Sequence, residues 1–236
     1  MAPTECVCYM RNLLFALWVL FSFPLHAQLT TSVPVQDLET WTYIGASKKF
    51  NDAFSMELYQ GLRLYDNSSS VNQVLTDLSA KVWANDYLSF GGGMRYIRNR
   101  TGSGDFENNM RFNFDVGFKH KLDRLTFKYR LRLQSNNELG YTREEGDFAI
   151  NGQRLKAGVK YNVRNWKLDP TVSAEIFRES GRYILPSFEK MRVTLGTKYK
   201  VKKVGELGLF YRVERELGVL YPLDAHILGL NFTFKL

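Results

Sequence analysis

Apolar residues recur at every second position along most of the chain, and this alternation constrains the fold more than any other feature of the sequence. The alternation is cleanest in five segments, at residues 110–119, 125–133, 155–161, 166–176 and 191–199. One parity of these segments has 25 positions without a single charge, and the other has 22 positions without a large apolar residue. A period of two is typical of β-strands that have one apolar and one polar face. The sequence therefore predicts an all-β protein.

Six further segments alternate less cleanly but also indicate strands, at residues 39–48, 53–65, 72–84, 87–98, 206–216 and 225–236. The connections between predicted strands are alternately short and long along the whole chain, without exception. An antiparallel up-and-down barrel places all its short turns at one end and all its long loops at the other. Since no helical segment or linker interrupts the pattern, we expect a single barrel domain over residues 28–236.

The expected number of strands follows from the direction of the last one. A C-terminal strand that ends at the short-turn end requires the strand at 39–48 to start at the opposite end. Another strand would then have to precede it, and residues 28–37 are the candidate, although Pro34 limits their pairing. Single-chain bacterial barrels have even strand numbers. The sequence therefore predicts twelve strands, with ten strands and a plugging N-terminal segment as the alternative.

Alternation alone does not decide which face is inside, because a soluble lipocalin-like barrel would enclose its apolar face. A mean hydropathy of −0.29 excludes a bundle of membrane-spanning helices. Predicted strands of about 10 to 13 residues suit a tilted crossing of a bilayer, which takes about 9–11 residues. About eight strands are enough to enclose a soluble core, and this chain has more. These features favour a transmembrane barrel with its apolar face towards lipid and its charges in the lumen.

The N-terminal segment has the features of a secretory signal peptide. Its apolar run, Leu13 to Leu25, is too short to span a bilayer, which takes about 20 residues. Arg11 provides the positive charge before this run, and Ala27 ends a small-residue cleavage site. We expect residues 1–27 to be removed, with Met10 as an alternative start of translation. Both cysteines precede the apolar run, so the mature chain would contain neither a disulfide nor a thiol nucleophile.

The last strand alternates up to the carboxyl terminus, with its apolar positions at Leu228, Leu230, Phe232, Phe234 and Leu236. This ending resembles the terminal strand by which outer-membrane barrels are recognised for assembly. The expected partners are therefore the barrel assembly machinery and the lipid of the outer membrane of a Gram-negative bacterium.

Three strand-and-turn units carry a resemblance to a known family. They are Lys48–Asp52 leading into Glu57 and Arg63, Lys119–Leu122 before Phe127–Arg132, and the strand Leu155–Tyr161. Together they resemble a Gram-negative family catalogued as domain of unknown function 2490. The resemblance implies an outer-membrane barrel and brings no activity with it.

Aromatic residues flank the predicted short turns, as in the interfacial girdle of a membrane barrel. Tyr161, Trp166 and Tyr199 have the parity expected of the lipid-facing side. Trp83 and Tyr87 have the polar parity instead, which indicates a break in register near Asn85.

The mature chain contains no recognisable catalytic or metal-binding constellation. His120 adjoins a short turn and His226 begins the last strand at the opposite end, so the two cannot share a metal or a catalytic triad. A lipid-modifying barrel enzyme would need a lipid-facing catalytic group, and we identify none. We therefore expect no enzyme activity, cofactor or metal, although the enzyme is retained as one alternative.

The polar face of the predicted strands is strongly basic. Of its 22 positions in the five clean segments, eleven are Lys or Arg and three are acidic. Acids on other strands, such as Glu57, Asp77 and Glu214, offset this surplus only in part. The candidate lumen residues are Arg111, Lys128, Arg130, Arg132, Arg154, Lys156, Lys160, Arg192 and Lys198.

A narrow lumen with surplus positive charge attracts anions. The sequence therefore favours a small pore or a binding cavity for anionic solutes. Nucleic acid is disfavoured, because the basic residues would line an interior rather than an outer face. The alternative is a structural or adhesive barrel that acts through its long loops, particularly Ser135–Phe148.

Overall fold

The fold consists of eleven β-strands in a computed structural model that describes residues 34–140, 150–180 and 187–236. In chain order the strands are β1 (Val35–Lys49), β2 (Phe54–Tyr65), β3 (Ser70–Trp83), β4 (Leu88–Arg100), β5 (Phe106–Leu122), β6 (Leu125–Glu138), β7 (Ile150–Tyr161), β8 (Thr171–Ser180), β9 (Ser187–Val201), β10 (Gly205–Glu216) and β11 (Leu223–Lys235). No helix in these three ranges is long and apolar enough to cross a membrane.

The strands form one closed barrel in which each strand pairs with its neighbours in sequence, and β1 pairs with β11. The pairing of β1 with β11 is parallel and runs from Val35 opposite Leu223 to Ser47 opposite Lys235. All the other pairs are antiparallel. The all-β, up-and-down architecture predicted from the sequence is therefore confirmed.

The predicted number of strands is wrong, because the barrel has eleven strands rather than twelve or ten. The prediction assumed that all neighbours are antiparallel, which requires an even number for closure. A single parallel seam between β1 and β11 removes this requirement. Residues 35–37 belong to β1 instead of a strand of their own, and residues 28–33 lie outside the described part of the chain.

The two ends of the barrel differ in their connections. The turn end carries the connections at residues 50–53, 84–87, 123–124, 162–170 and 202–204. At the loop end, the described connections are those at residues 66–69, 101–105 and 217–222. The predicted strict alternation of short and long connections is wrong at both ends. The connection 162–170 is the longest at the turn end, and 66–69 at the loop end is no longer than an ordinary turn.

The long connection at the turn end arises because β8 starts at Thr171, later than the predicted strand at 166–176. Pro170 has no N–H with which to extend the ladder, although its carbonyl oxygen accepts a hydrogen bond from the Tyr161 N–H at 3.0 Å. Upstream of it, only an isolated bridge between Leu168 and Tyr199 continues the pairing. Asn165 has a left-handed backbone with φ of 60°, so a turn interrupts the alternating pattern there.

An apolar cluster lies inside the barrel, in the half nearer the loop end. Trp41, Ala225 and Ile227 form its buried centre, and Tyr43 and Phe210 pack against it. Gly229 lies opposite Phe210 on the neighbouring strand, and a Cβ atom there would overlap the phenyl ring. The interior of the barrel is therefore not uniformly polar, and part of it is packed like a protein core.

Candidate functional site

The alternation of the strands places the apolar parity outside and the charged parity inside the barrel. Large apolar side chains on the outward parity remain exposed, as Phe112, Leu155 and Leu195 do at 53%, 58% and 50%. The candidate basic residues lie on the opposite parity of β5, β6, β7 and β9. Buried residues such as Gln134 and Glu175 share this inward face of the sheet. The lumen is therefore the charged compartment of this molecule and the candidate functional site.

Arginine side chains and aromatic rings occupy the lumen near the loop end. The Arg63 guanidinium lies over the Trp41 ring, 3.8 Å from its centroid, and the Arg212 guanidinium lies 4.9 Å from it. Arg154 and Arg192 each lie 4.5 Å from the centroid of Phe177. Flat guanidinium groups stack well on aromatic faces. We call Arg63, Arg111, Arg154, Arg192 and Arg212 the arginine cluster.

The same half of the barrel contains several buried apolar side chains that point inward. Leu75, Ile97 and Ile227 are no more than 1% exposed, and Trp41 is 5% exposed. All four point into the half of the lumen that the arginine cluster also occupies. This half is therefore partly packed, and accessible surface remains at arginines such as Arg154.

Carboxylates neutralise part of the positive charge in the lumen. Asp115 accepts two hydrogen bonds from Arg132, both at 2.7 Å, and Asp77 pairs with Arg95. Glu175 lies between Arg130, at 2.7 Å, and Arg192, at 3.5 Å. Glu214 accepts hydrogen bonds from Arg192 and Lys190. Charge-assisted and partly bidentate contacts of this kind hold both partners in fixed positions.

Lysines occupy the lumen near the turn end. Lys119 and Lys128 are direct cross-strand neighbours, and Lys160 of β7 is diagonal to Lys128. Lys81 and Lys198 lie near the turn ends of β3 and β9. We call these five residues the lysine cluster. Lys160 pairs with Asp169 at 2.5 Å and Lys198 with Glu206 at 2.6 Å. Within the described residues, no carboxylate pairs with Lys81, Lys119 or Lys128.

The lysine cluster is accessible, unlike the arginine cluster. Lys81, Lys119, Lys128 and Lys198 have exposed side chains although they point inward. Trp83 also faces the lumen here, with Nζ of Lys81 and of Lys49 at 5.1 and 5.8 Å from its ring centroid. The turn end of the lumen is therefore open to solvent and lined by cationic side chains.

The sequence-predicted residues are divided between two levels of the lumen. Arg111, Arg154 and Arg192 belong to the arginine cluster, Lys128, Lys160 and Lys198 to the lysine cluster, and Arg130, Arg132 and Lys156 lie on the strands between them. The sequence reasoning did not identify Arg63, Arg212, Trp41 or Phe177. Three of these lie on strands β1, β2 and β10, whose alternation is unclear because both parities carry apolar or aromatic residues. That two-sided apolar pattern is the signal that would have indicated a packed lumen.

The expected break in register near Asn85 is not present. Strands β3 and β4 pair without a shift from Gln73 opposite Asn99 to Trp83 opposite Ser89. Trp83 has the polar parity because it faces the lumen, and the Tyr87 ring stacks on the outward Phe118 ring at 6.4 Å. The predicted girdle residues Tyr161, Trp166 and Tyr199 are exposed near the turn end.

His120 and His226, the two histidines among the described residues, lie on the outward parity and far from each other. The His120 ring stacks on Phe127 near the turn end. Nδ1 of His226 lies 2.7 Å from the Tyr211 hydroxyl near the loop end. In the described ranges, no three His, Cys, Asp or Glu side chains are grouped so that they could hold a metal ion.

Comparison with solved structures gives distant similarities to bacterial proteins. A bacterial polysaccharide outer membrane secretin has a TM-score of 0.47 and 9% identity, over 71% of this chain and 60% of that one. OmpT of Vibrio cholerae has a TM-score of 0.41 and 13% identity, over 69% and 54%. The beta domain of the Bordetella autotransporter BrkA has a TM-score of 0.45 and 8% identity, over 83% and 95%. The chain thus spans little more than half of the first two proteins.

Sequence comparison provides the assignment to a family. No curated protein matches the sequence. The model of a family described as a protein of unknown function, DUF2490, matches residues 38–217, which is most of the chain. This match confirms the resemblance seen in the strand-and-turn units, and the chain belongs to the DUF2490 family.

Proposed function

We propose that the protein is an integral outer-membrane barrel whose lumen binds small anionic solutes that enter from the turn end. The observation that carries the proposal is the lysine cluster, in which Lys81, Lys119 and Lys128 face an accessible lumen without a carboxylate partner among the described residues.

The exposed apolar band around the outside supports insertion into a membrane. Phe114, Leu131, Leu195 and Leu209, on four different strands, are each between 43% and 54% exposed. A band of this kind around a whole barrel far exceeds the apolar patches tolerated on soluble monomers. In hydrocarbon it would instead contact lipid, and the closed sheet leaves no strand edge unpaired. In the usual orientation of such barrels the turn end faces the periplasm.

The charge of the turn end supports anion binding. Lys81, Lys119 and Lys128 form no ion pair with a carboxylate of the described residues, and their amino groups create a positive potential in a confined space, which concentrates anions. The packed layer near the loop end favours a cavity open at one end over a continuous pore. The proposal is therefore a binding cavity, and the pore is the competing interpretation of the same charges.

Membrane insertion is tested by extraction and by gel migration. We expect the protein to stay with outer membranes in alkaline carbonate, to need detergent for release, and to migrate differently before and after boiling. Release by carbonate alone would contradict the membrane assignment.

A matched pair of charge variants tests anion binding. Binding of the anionic dye pyranine to detergent-solubilised protein is followed by fluorescence anisotropy at several salt concentrations. We expect the triple variant Lys81→Gln, Lys119→Gln, Lys128→Gln to weaken binding at least tenfold, and wild-type binding to weaken as salt rises. The control variant Lys48→Gln, Lys167→Gln, Lys202→Gln removes the same charge from exposed positions outside the lysine cluster.

The outcomes of this experiment separate the competing interpretations. Equal loss of dye binding in both triple variants would show that only net charge matters and would refute a lumen site. Absence of dye binding by wild type would favour a structural or adhesive barrel. Stepwise conductance by wild type in a planar bilayer would favour the pore over the closed cavity.

A further inference from the structure

Arg154 is a lumen arginine whose Nε–H group has no acceptor. Its Nε is shut off from solvent and has no hydrogen-bond partner. Its guanidinium stacks on Phe177, and its direct cross-strand neighbour on β6 is another arginine, Arg132. The side chain nevertheless keeps a partly accessible surface within the barrel, so there is space beside it in the lumen.

Arg111 faces the same region of the lumen, and its positive charge is not neutralised by a carboxylate of the described residues. Arg111 lies opposite Asn136 of β6, and Arg154 lies opposite Arg132 of the same strand, so the two arginines flank Gln134 from β5 and β7. Arg111 itself is a direct neighbour of Arg95 on β4, and its Nε makes one long hydrogen bond, 3.4 Å, to the Asn136 side-chain oxygen. Neither Arg111 nor Arg154 forms an ion pair with a carboxylate of the described residues.

The acidic groups near these two arginines have other partners or lie apart. Asp77 is held by Arg95, and Asp115 by both nitrogens of the Arg132 fork. Glu175 is held by Arg130 and Arg192. Glu179 lies opposite Gly152 of β7, and no ion pair among the described residues joins it to Arg111 or Arg154. Two guanidinium groups therefore share one region of the lumen without an anion of their own.

An uncharged amide completes this region. Gln134 lies on β6 beside Arg132 and crosses the surface of Gly152, where a Cβ would come within 2.9 Å of its amide nitrogen. The Gln134 side-chain oxygen is buried and has no hydrogen-bond partner. Rotation of the amide by half a turn would present its NH₂ group instead, which is a donor for an anion.

Unpaired guanidinium groups away from bulk water are costly, and a bound anion removes this cost. The planar fork of arginine matches two oxygens on one carbon or phosphorus atom and does not match a spherical halide. We propose that Arg111 and Arg154 bind a small oxyanion of the carboxylate or phosphate type in the lumen, with Gln134 as a neutral donor. This inference rests on the proposed binding of anionic solutes in the lumen, and it specifies one binding site and the chemical class of its ligand.

Substitutions that keep the positive charge and remove the arginine fork test the site. Wild type, Arg154→Lys, Arg111→Lys and the double variant are titrated with inorganic phosphate, succinate and chloride, and both calorimetric binding and thermal unfolding are recorded. We expect phosphate or succinate to raise the unfolding temperature of wild type, because a ligand that binds only the folded state stabilises it. Chloride at equal ionic strength should have a much smaller effect.

The lysine substitutions keep the charge and remove the fork. Each should weaken oxyanion binding roughly ten- to hundredfold, the range expected for hydrogen bonds to charged groups. Chloride binding should change little. A structural role alone would lower the unfolding temperature without changing the preference of phosphate over chloride, so this ratio separates the two roles.

The outcomes distinguish this site from the proposed function. The triple lysine variant of the turn end should weaken phosphate and chloride binding by similar factors, while Arg154→Lys should weaken phosphate alone. Unchanged phosphate binding in the double arginine variant would refute the oxyanion site and leave the anion cavity standing. Absence of any anion binding by wild type would refute both. Binding of phosphate but not succinate, or the reverse, identifies which oxyanion geometry the site accepts.

Discussion

The two halves of the lumen hold charge of the same sign in different ways. Near the loop end, the guanidinium groups of Arg63, Arg192 and Arg212 lie 3.8, 5.6 and 4.9 Å from the centroid of the Trp41 ring, and Glu214 neutralises Arg192. Near the turn end, Lys119 and Lys128 stand side by side in accessible space. Guanidinium is weakly hydrated and stacks, whereas ammonium is a strongly hydrated point charge. The residue type therefore determines which half can be packed and which half stays wet.

The largest expected difference between the halves is in the cost of removing a tryptophan. Trp41→Ala should lower the free energy of unfolding by about 3–5 kcal/mol, because a buried ring that carries stacked arginines leaves a cavity. Trp83→Ala, at the turn end, should cost only about 1 kcal/mol, the value of its contacts with Lys49 and Lys81. Urea unfolding in detergent, followed by the loss of the heat-modifiable band, measures both. Equal losses would contradict a packed loop end.

Removal of a carboxylate should also destabilise the loop-end half of the barrel more than the turn-end half, by a slightly smaller difference in free energy of unfolding. Glu175→Gln leaves Arg130 and Arg192 without their shared carboxylate, and breaking such a buried pair costs about 3 kcal/mol or more. Glu206→Gln affects Lys198 and Lys235, which are more than half exposed, and should cost less than about 1 kcal/mol. The same unfolding measurement compares them. If Glu206→Gln proves the more damaging, the turn end is not solvated.

Backbone packing provides a third comparison. Gly229→Ala adds a Cβ that would overlap the Phe210 ring and should cost about 1–3 kcal/mol through overpacking. Gly92→Ala is the matched control, because its nearest neighbour would be 4.0 Å from the new atom. It should be neutral or slightly stabilising. Temperature-dependent migration on a gel is sufficient to rank the two variants.

The smallest predicted effect is a gain in stability, whereas the three changes above are losses. Lys128→Gln should stabilise the barrel by about 0.2–1 kcal/mol, because it removes a like-charge pair with the directly opposite Lys119. Lys198→Gln should bring no gain, because Lys198 has a carboxylate partner in Glu206 at 2.6 Å. Urea midpoints of the two variants test this. A loss of stability in Lys128→Gln would indicate that the lysine cluster has a structural partner, and would weaken the case for anion binding.

The sequence predicts the wall of the barrel better than its closure. Alternation identifies strands because each strand has one side towards the lumen and one side towards the outside of the barrel. Along β5, for example, Arg111 faces the lumen and Phe112 faces outward. Closure depends on how the first and last strands meet. Residues 35–47 pair with residues 223–235, which lie at the other end of the sequence. No local sequence pattern determines whether such a pairing is parallel or antiparallel.

The contents of the lumen were predicted only in part. Parity identifies Arg154 and Lys128 as inward, since a charged residue on a strict polar face has one direction available. Parity does not tell which inward arginines find a carboxylate, because Arg130 reaches Glu175 on β8, two strands away. It also misses Trp41 and Ile227, because on strands that are apolar on both faces the inward side cannot be recognised from hydropathy.

The parallel seam has a practical consequence for the display of foreign sequences. Because β1 and β11 both begin at the loop end, the chain enters the barrel at the loop end and leaves it at the turn end. In the proposed orientation, a peptide joined directly to Pro34 would be presented at the cell surface, while one joined to Leu236 would stay in the periplasm. An even-stranded meander instead has both ends of its sheet on one side.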